Sequence, residues 1–123
     1  MKGRKESEQV KKKPAEKEKN KTFKAALSGE RVFSNAKEAF TLYESSRLGE
    51  SKEGKVYYSL VETLYLLEKG KLILHAGKRK ISFETFMRKA EEIEKNFHVR
   101  FVVYRDMRNR GYIVKTALKF GAD

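Results

Sequence analysis

Cations dominate the groups in this chain that could do chemistry: 29 Lys and Arg stand against 17 Asp and Glu, a formal net charge of +12. Such a surplus favours a polyanionic partner, because each phosphate neutralised by Lys or Arg releases condensed counterions. Four cations near the C-terminus are candidates for that contact: Arg108, Arg110, Lys115 and Lys119. Arg108 and Arg110 sit where a helix would end, so they could hold phosphate or simply complement the negative end of the helix dipole. Arg105 and Arg108 are neighbours at i,i+3 spacing while Arg110 lies off that line, so the three cannot form one row. Lys115 and Lys119 would share one side of a strand and could offer a basic rail to a polyanionic backbone, a spacing that is also common by chance. Lys78-Arg79-Lys80 reads as a compact basic turn able to take a phosphate or to stay solvated. Tyr104 and Tyr112 could stack on bases, although tyrosines near helix ends and in strands more often belong to the core with a wet hydroxyl.

Other chemistries are closed off by what is missing. The chain has no Cys, which excludes thiol catalysis, iron–sulfur ligation and thiolate zinc sites. Its 2 His, His75 and His98, are too few for a metal site built from several convergent ligands. No metal and no cofactor is therefore expected, and neither His is a favoured catalyst.

These side chains need elements to position them. Phe23 to Leu27 and Glu30 to Phe33 flank Ser28-Gly29 and predict a hairpin, with the glycine free to adopt a positive φ. Ser34 and Asn35 are N-cap types, Glu38 follows Asn35 by three, and Ala39, Leu42 and Tyr43 recur at helical spacing, which predicts a helix over 35–47. Lys55 to Tyr58 reads as a short strand. Ser59 and Glu62 form a capping box ahead of a helix from Leu60 to Lys69. Leu72-Ile73-Leu74 makes a strand, and Ser82 is a further N-cap candidate. Phe83, Phe86, Met87, Ala90, Ile93 and Phe97 then lie on one helical stripe. Phe97 to Val103 fits strand and helix alike, but Arg110-Gly111 resembles a helix C-terminus and favours a helix ending there. Tyr112 to Leu118 alternates as a strand would.

Residues 1–22 hold nine Lys and Arg, four Glu, one Val and no aromatic residue, too little apolar surface to offset the entropy of ordering them. They are read as a disordered basic tail that could either thicken the field for capture of a polyanion or merely keep the chain in solution. The tail carries +5 of the +12, leaving +7 on Phe23 to Asp123. The Lys- and Glu-rich charge set, with one Gln, four Asn and two Asp, matches a hot-adapted proteome, a composition that a solubilising surface in a mesophile could also produce. Neither a secretory leader nor a membrane-spanning run is evident, so a cytoplasmic location without membrane attachment is expected.

The run Tyr104-Arg105-Asp106-Met107-Arg108-Asn109-Arg110-Gly111-Tyr112 through Lys119-Phe120-Gly121-Ala122-Asp123 resembles the opening of the C-terminal domain of archaeal tRNA-splicing endonucleases. Upstream, Tyr43 to Gly49 and the helix within Tyr58 to Gly70 are similar to that family's N-terminal domain, so the resemblance runs from Phe23 to Asp123. It implies an α+β chain: a small mixed α/β N-terminal domain over 23–96, followed by the start of an endonuclease-like α/β domain over 97–123.

The resemblance also implies an enzyme acting on precursor tRNA as a homodimer or homotetramer. Its substrate would be a bulge–helix–bulge at the intron borders. Cleavage would need no metal: the ribose 2′-hydroxyl attacks the neighbouring phosphate and leaves a 2′,3′-cyclic phosphate and a 5′-hydroxyl. The family's catalytic Tyr, His and Lys match no position of this sequence and would fall after Asp123. On that reading the chain is truncated ahead of its reacting groups and inactive alone. The alternative is a non-catalytic structural or RNA-binding subunit of the same fold.

Overall fold

The computed structural model describes residues 22–115. Strand β1 (Phe23–Ser28) turns through Gly29 into β2 (Arg31–Ser34), and the two pair antiparallel. Helix α1 (Lys37–Ser46), β3 (Glu50–Lys52), β4 (Lys55–Tyr58) and helix α2 (Leu60–Glu68) follow. Next come β5 (Leu72–Ala76), β6 (Arg79–Ile81), α3 (Phe83–Ile93) and α4 (Phe97–Asn109). The strands form one mixed sheet in the order β3-β4-β2-β1-β5-β6. Among the described strands only the β1–β5 pair is parallel, and the chain between them supplies the crossover that such a pair requires. The architecture is α+β, as expected.

One face of the sheet builds the core. Phe23, Ala25, Val32, Val56, Tyr58, Leu72 and Leu74 alternate inward from the strands and are all buried. Against them lies α2, whose Leu60, Val61, Leu64 and Leu66 are buried around its circumference. A helix buried on most of its sides needs cover beyond the sheet. α3 and α4 supply it, bringing Phe86, Ala90, Phe97, Phe101 and Tyr104 into the same cluster.

Several expectations need correction. The N-cap of α1 is Ala36, not Asn35, and no side chain caps that helix. The Ser34 hydroxyl donates instead to the Lys24 carbonyl at 2.7 Å and accepts from the Ala36 N–H at 3.1 Å, bracing β2 against β1. β3 was not foreseen, because Glu-Ser-Lys has neither apolar alternation nor strong strand propensity. It forms by pairing with β4 across Glu53-Gly54, both at positive φ, a hairpin-turn geometry. The expected basic turn at 77–80 is a hairpin in which only Gly77 and Lys78 turn, while Arg79 and Lys80 belong to β6. The stripe ending at Phe97 is two helices: Glu94 is extended and Asn96 left-handed at φ 63°. The ambiguous run Phe97 to Val103 is helical. Tyr112 to Lys115 is not in a strand among the described residues. Thr116 to Leu118, Lys119 and all but the last residue of the basic tail lie outside the described residues.

Candidate nucleic-acid interface

The C-terminal half of α4 brings the singled-out residues to one place. Tyr104 and Arg108, four apart and so on one helix face, both point inward, and Arg108 is only 9% exposed. A guanidinium there must fill its donors. Its Nε donates to the Tyr104 hydroxyl at 3.1 Å, Nη1 to the Ser46 carbonyl at 2.7 Å, and Nη2 to the carbonyls of Arg47 and Val114 at 3.1 and 3.3 Å. Tyr65 meets the Tyr104 ring edge-on, with centroids 5.7 Å apart, and its hydroxyl donates to Asn109 Oδ1 at 3.2 Å. Burial and the Glu62 charge raise the Tyr104 pKa above the ordinary phenol value against the opposing pull of Arg108. Burial likewise raises that of Tyr65. Both are therefore neutral hydrogen-bonding groups at neutral pH.

Two of the acceptors for Arg108 come from the end of α1 and the first residue of the loop that joins it to β3. Arg47 closes α1 in the left-handed region at φ 57°, and Gly49 follows at φ 90°. A Cβ on Gly49 would lie 2.5 Å from Val56 Cγ1, so this close approach needs glycine. The Gly49 N–H donates to Glu62 Oε2 at 3.1 Å while Glu62 Oε1 accepts the Ser59 N–H at 2.9 Å. One buried carboxylate thereby holds the loop and completes the capping box of α2. The loop turns its carbonyls towards the cations: Lys115 Nζ donates to Arg47 and Gly49 at 3.2 and 2.9 Å.

Beside this hub runs a groove of about 580 Å³ lined by Ser46, Tyr65, Lys69, Lys71, Arg108 and Tyr112 among others. Arg108 and Lys115 are thus brought together, although their donors face protein carbonyls. Arg110 points outward, with a side chain 67% exposed, and among the described residues its ion pair is with Asp106 at 3.3 Å. Arg105 diverges from Arg108 and pairs with Glu68 at 2.8 Å. Gly111 takes φ 95° and its N–H bonds the Arg108 carbonyl, the expected helix C-terminus. Lys69 and Tyr65 were not singled out beforehand. Their 5.4 Å cation–π contact on the groove wall has only a weak signal, a Lys four residues after a Tyr in a helix. His75 lies on β5 and His98 in the first turn of α4. No group of three His, Cys, Asp or Glu residues able to hold a metal occurs among the described residues. Outward Arg110 and the groove wall of Lys69 and Tyr65 offer cations and an aromatic face of the kind that suits a polyanion, whereas the carbonyls are acceptors that take up the donors of Arg108 and Lys115.

Comparison with known proteins decides the family. Residues 23–87 match the tRNA intron endonuclease N-terminal domain, and residues 97–123 match the tRNA intron endonuclease catalytic C-terminal domain. The chain belongs to the tRNA intron endonuclease family. The tRNA-splicing endonuclease of Thermococcus gammatolerans is 44% identical over 97 residues, covering 78% of this chain and 58% of that protein. The tRNA-splicing endonuclease of Methanococcus vannielii is 41% identical over 104 residues, covering 84% of this chain and 59% of that protein. The chain therefore spans less than three fifths of the length of these relatives. Within the family frame the hub acquires a meaning: Arg108 and Lys115, from the catalytic-domain match, grip the loop carbonyls of the N-terminal-domain match.

Proposed function

We propose that the chain serves in a tRNA-splicing endonuclease that cuts precursor tRNA at intron borders, recognising a bulge–helix–bulge as part of a homodimer or homotetramer. The two consecutive family matches, backed by relatives over 40% identical, carry this reading. In the proposed reaction the ribose 2′-oxygen forms a bond to the adjacent phosphorus as its proton passes to a base. The bond from phosphorus to the 5′-oxygen breaks, and that oxygen takes a proton from an acid. The products are a 2′,3′-cyclic phosphate and a 5′-hydroxyl, with no metal in the step.

None of the 123 residues is assigned to the proton transfers. The role proposed for this chain is to position and hold RNA. Arg110 is the outward-facing candidate near the hub, Lys115 and Lys119 are candidates along the segment beyond it, and Arg108 acts by fixing the loop that they flank. The test is to mix the chain with an end-labelled bulge–helix–bulge RNA in the presence of chelator. Binding without cleavage is expected, weakening steeply with salt as counterion release requires. Cleavage by these 123 residues alone would refute the placement of the chemistry, and absence of binding would refute the RNA role.

A further inference from the structure

The sheet has two faces, and the described helices cover only one. The registers place Glu50, Tyr57, Phe33, Ala26, His75 and Lys80 in a single row crossing all six strands. This row lies opposite the core, because side chains alternate along each strand and the neighbours Val32, Val56 and Leu74 point inward. Neither Phe33 nor Tyr57 belongs to the buried cluster or packs against it. The two rings instead meet each other on the open face, with centroids 5.8 Å apart and planes at 51°.

Cations surround the pair. Lys55 Nζ sits 5.0 Å from the Phe33 centroid and the Arg31 guanidinium carbon 5.9 Å from that of Tyr57. By register Lys24 and Lys52 share the same face with Lys80. The described salt bridges engage Arg100, Arg105 and Arg110 only, so the cations of the sheet face are not paired with acids there. Glu50, at one end, is the single acid in the row. Next to Phe33 an open depression of about 420 Å³ is rimmed by Lys24, Asn35 and His75, groups able to hydrogen-bond a base edge.

We propose that this open sheet face is a second RNA surface, on which Phe33 and Tyr57 stack against unpaired bases while Lys24, Arg31, Lys52, Lys55 and Lys80 hold the adjoining phosphates. Two features single out this occupant. The uncompensated charge calls for a polyanion, and half-buried rings on the open face between the cations gain affinity only from a partner with flat π faces of its own. Paired RNA keeps its bases stacked inside the helix, so a flat aromatic platform suits unpaired nucleotides. Lys55 and Arg31 lie over the rings on flexible stems and can swing to phosphate as a base takes their place. The choice of RNA rests on the proposed function, whereas the stacking rests on the sheet.

The experiment uses the full chain with three probes: a short unstructured oligoadenylate, an abasic oligonucleotide of equal charge, and polyglutamate. The Phe33→Leu and Tyr57→Leu variants keep an apolar side chain but lose the ring, and circular dichroism and thermal unfolding check that each is folded. Each is expected to bind oligoadenylate about tenfold more weakly, as base–aromatic stacking requires. Tyr57→Phe should bind as the unaltered chain does. Abasic oligonucleotide should bind weakly to all variants alike. Equal binding of oligoadenylate by folded leucine variants would overturn the proposal, as would abasic oligonucleotide or polyglutamate binding as tightly as oligoadenylate. Binding of bulge–helix–bulge RNA is measured alongside. If that fails while the ring-dependent oligoadenylate binding persists, the sheet surface stands and the endonuclease reading falls; the converse result rejects the sheet surface alone.

Discussion

Tyr58 carries a hydroxyl that lies fully buried beneath the sheet without a hydrogen-bond partner among the described residues. Burial first, and the Glu62 charge second, raise its pKa well above the ordinary phenol value. Tyr104 is raised in the same direction. An unfolded chain would release both protons near the usual pH of about 10 while the folded chain retains them. Stability should therefore hold steady below about pH 10 and fall above it, by up to about 1.4 kcal/mol per pH unit for each tyrosine. Tyr58→Phe should leave stability at pH 7 unchanged or raise it by about 1 kcal/mol, since it removes an unsatisfied buried group. It should also make the alkaline decline shallower. Urea titrations between pH 7 and 11 check this, and a decline as steep in the variant would mean that Tyr58 is not among the groups responsible. Little of this was visible in the sequence, where a tyrosine ending a strand reads as core with a wet hydroxyl. The same applies to Arg108. Residue type announced its charge, but its direction was set by carbonyls of Ser46 and Arg47, remote in sequence and placed only by the fold.

At the scale of elements, what was legible is what local chemistry determines. The Ser59 capping box, the Gly29 hairpin and the Arg110-Gly111 helix end all appear as expected, because each is a short-range hydrogen-bonding or φ requirement. The break between α3 and α4 was not legible. Phe97 falls on the stripe of Phe83, Phe86 and Ala90 whether the helix continues or the chain turns and starts again, and both routes bury it. Ile93, on the same stripe, is instead 37% exposed. Asn96 permits the turn because its short polar side chain tolerates the left-handed region better than most residues. Arg100 reinforces it, with Nη1 donating to both Glu94 carboxylate oxygens at 2.7 and 2.9 Å. Asn96→Gly should thus be nearly neutral or slightly stabilising, while Asn96→Ala should destabilise by about 1 kcal/mol. Equilibrium urea unfolding of the two variants distinguishes the cases. An alanine variant as stable as the glycine one would show that left-handed strain does not set the boundary.

For the whole molecule, the question is whether the two family segments are separate folding units. The family matches leave a gap between residues 87 and 97, yet one hydrophobic cluster runs across it. Phe97, Phe101 and Tyr104 of α4 are almost wholly buried in the cluster that also contains Leu64, Leu66 and Phe86. Removing α4 would expose the apolar side of α2 that packs against it. It would also strip the hub of Arg108 and leave the loop carbonyls of Ser46 and Arg47 without their cation. Three such aromatic side chains contribute together about 6 kcal/mol by area burial, comparable with the entire stability of about 5–15 kcal/mol expected of a small domain. A fragment of residues 22–96 should therefore lose cooperative unfolding, whereas one of residues 22–115 should keep a single sharp transition. Thermal and urea melts followed by circular dichroism compare the two. If the shorter fragment unfolded cooperatively within about 2 kcal/mol of the longer one, well inside the burial term above, α4 would be an appendage to the N-terminal unit instead of one wall of its core.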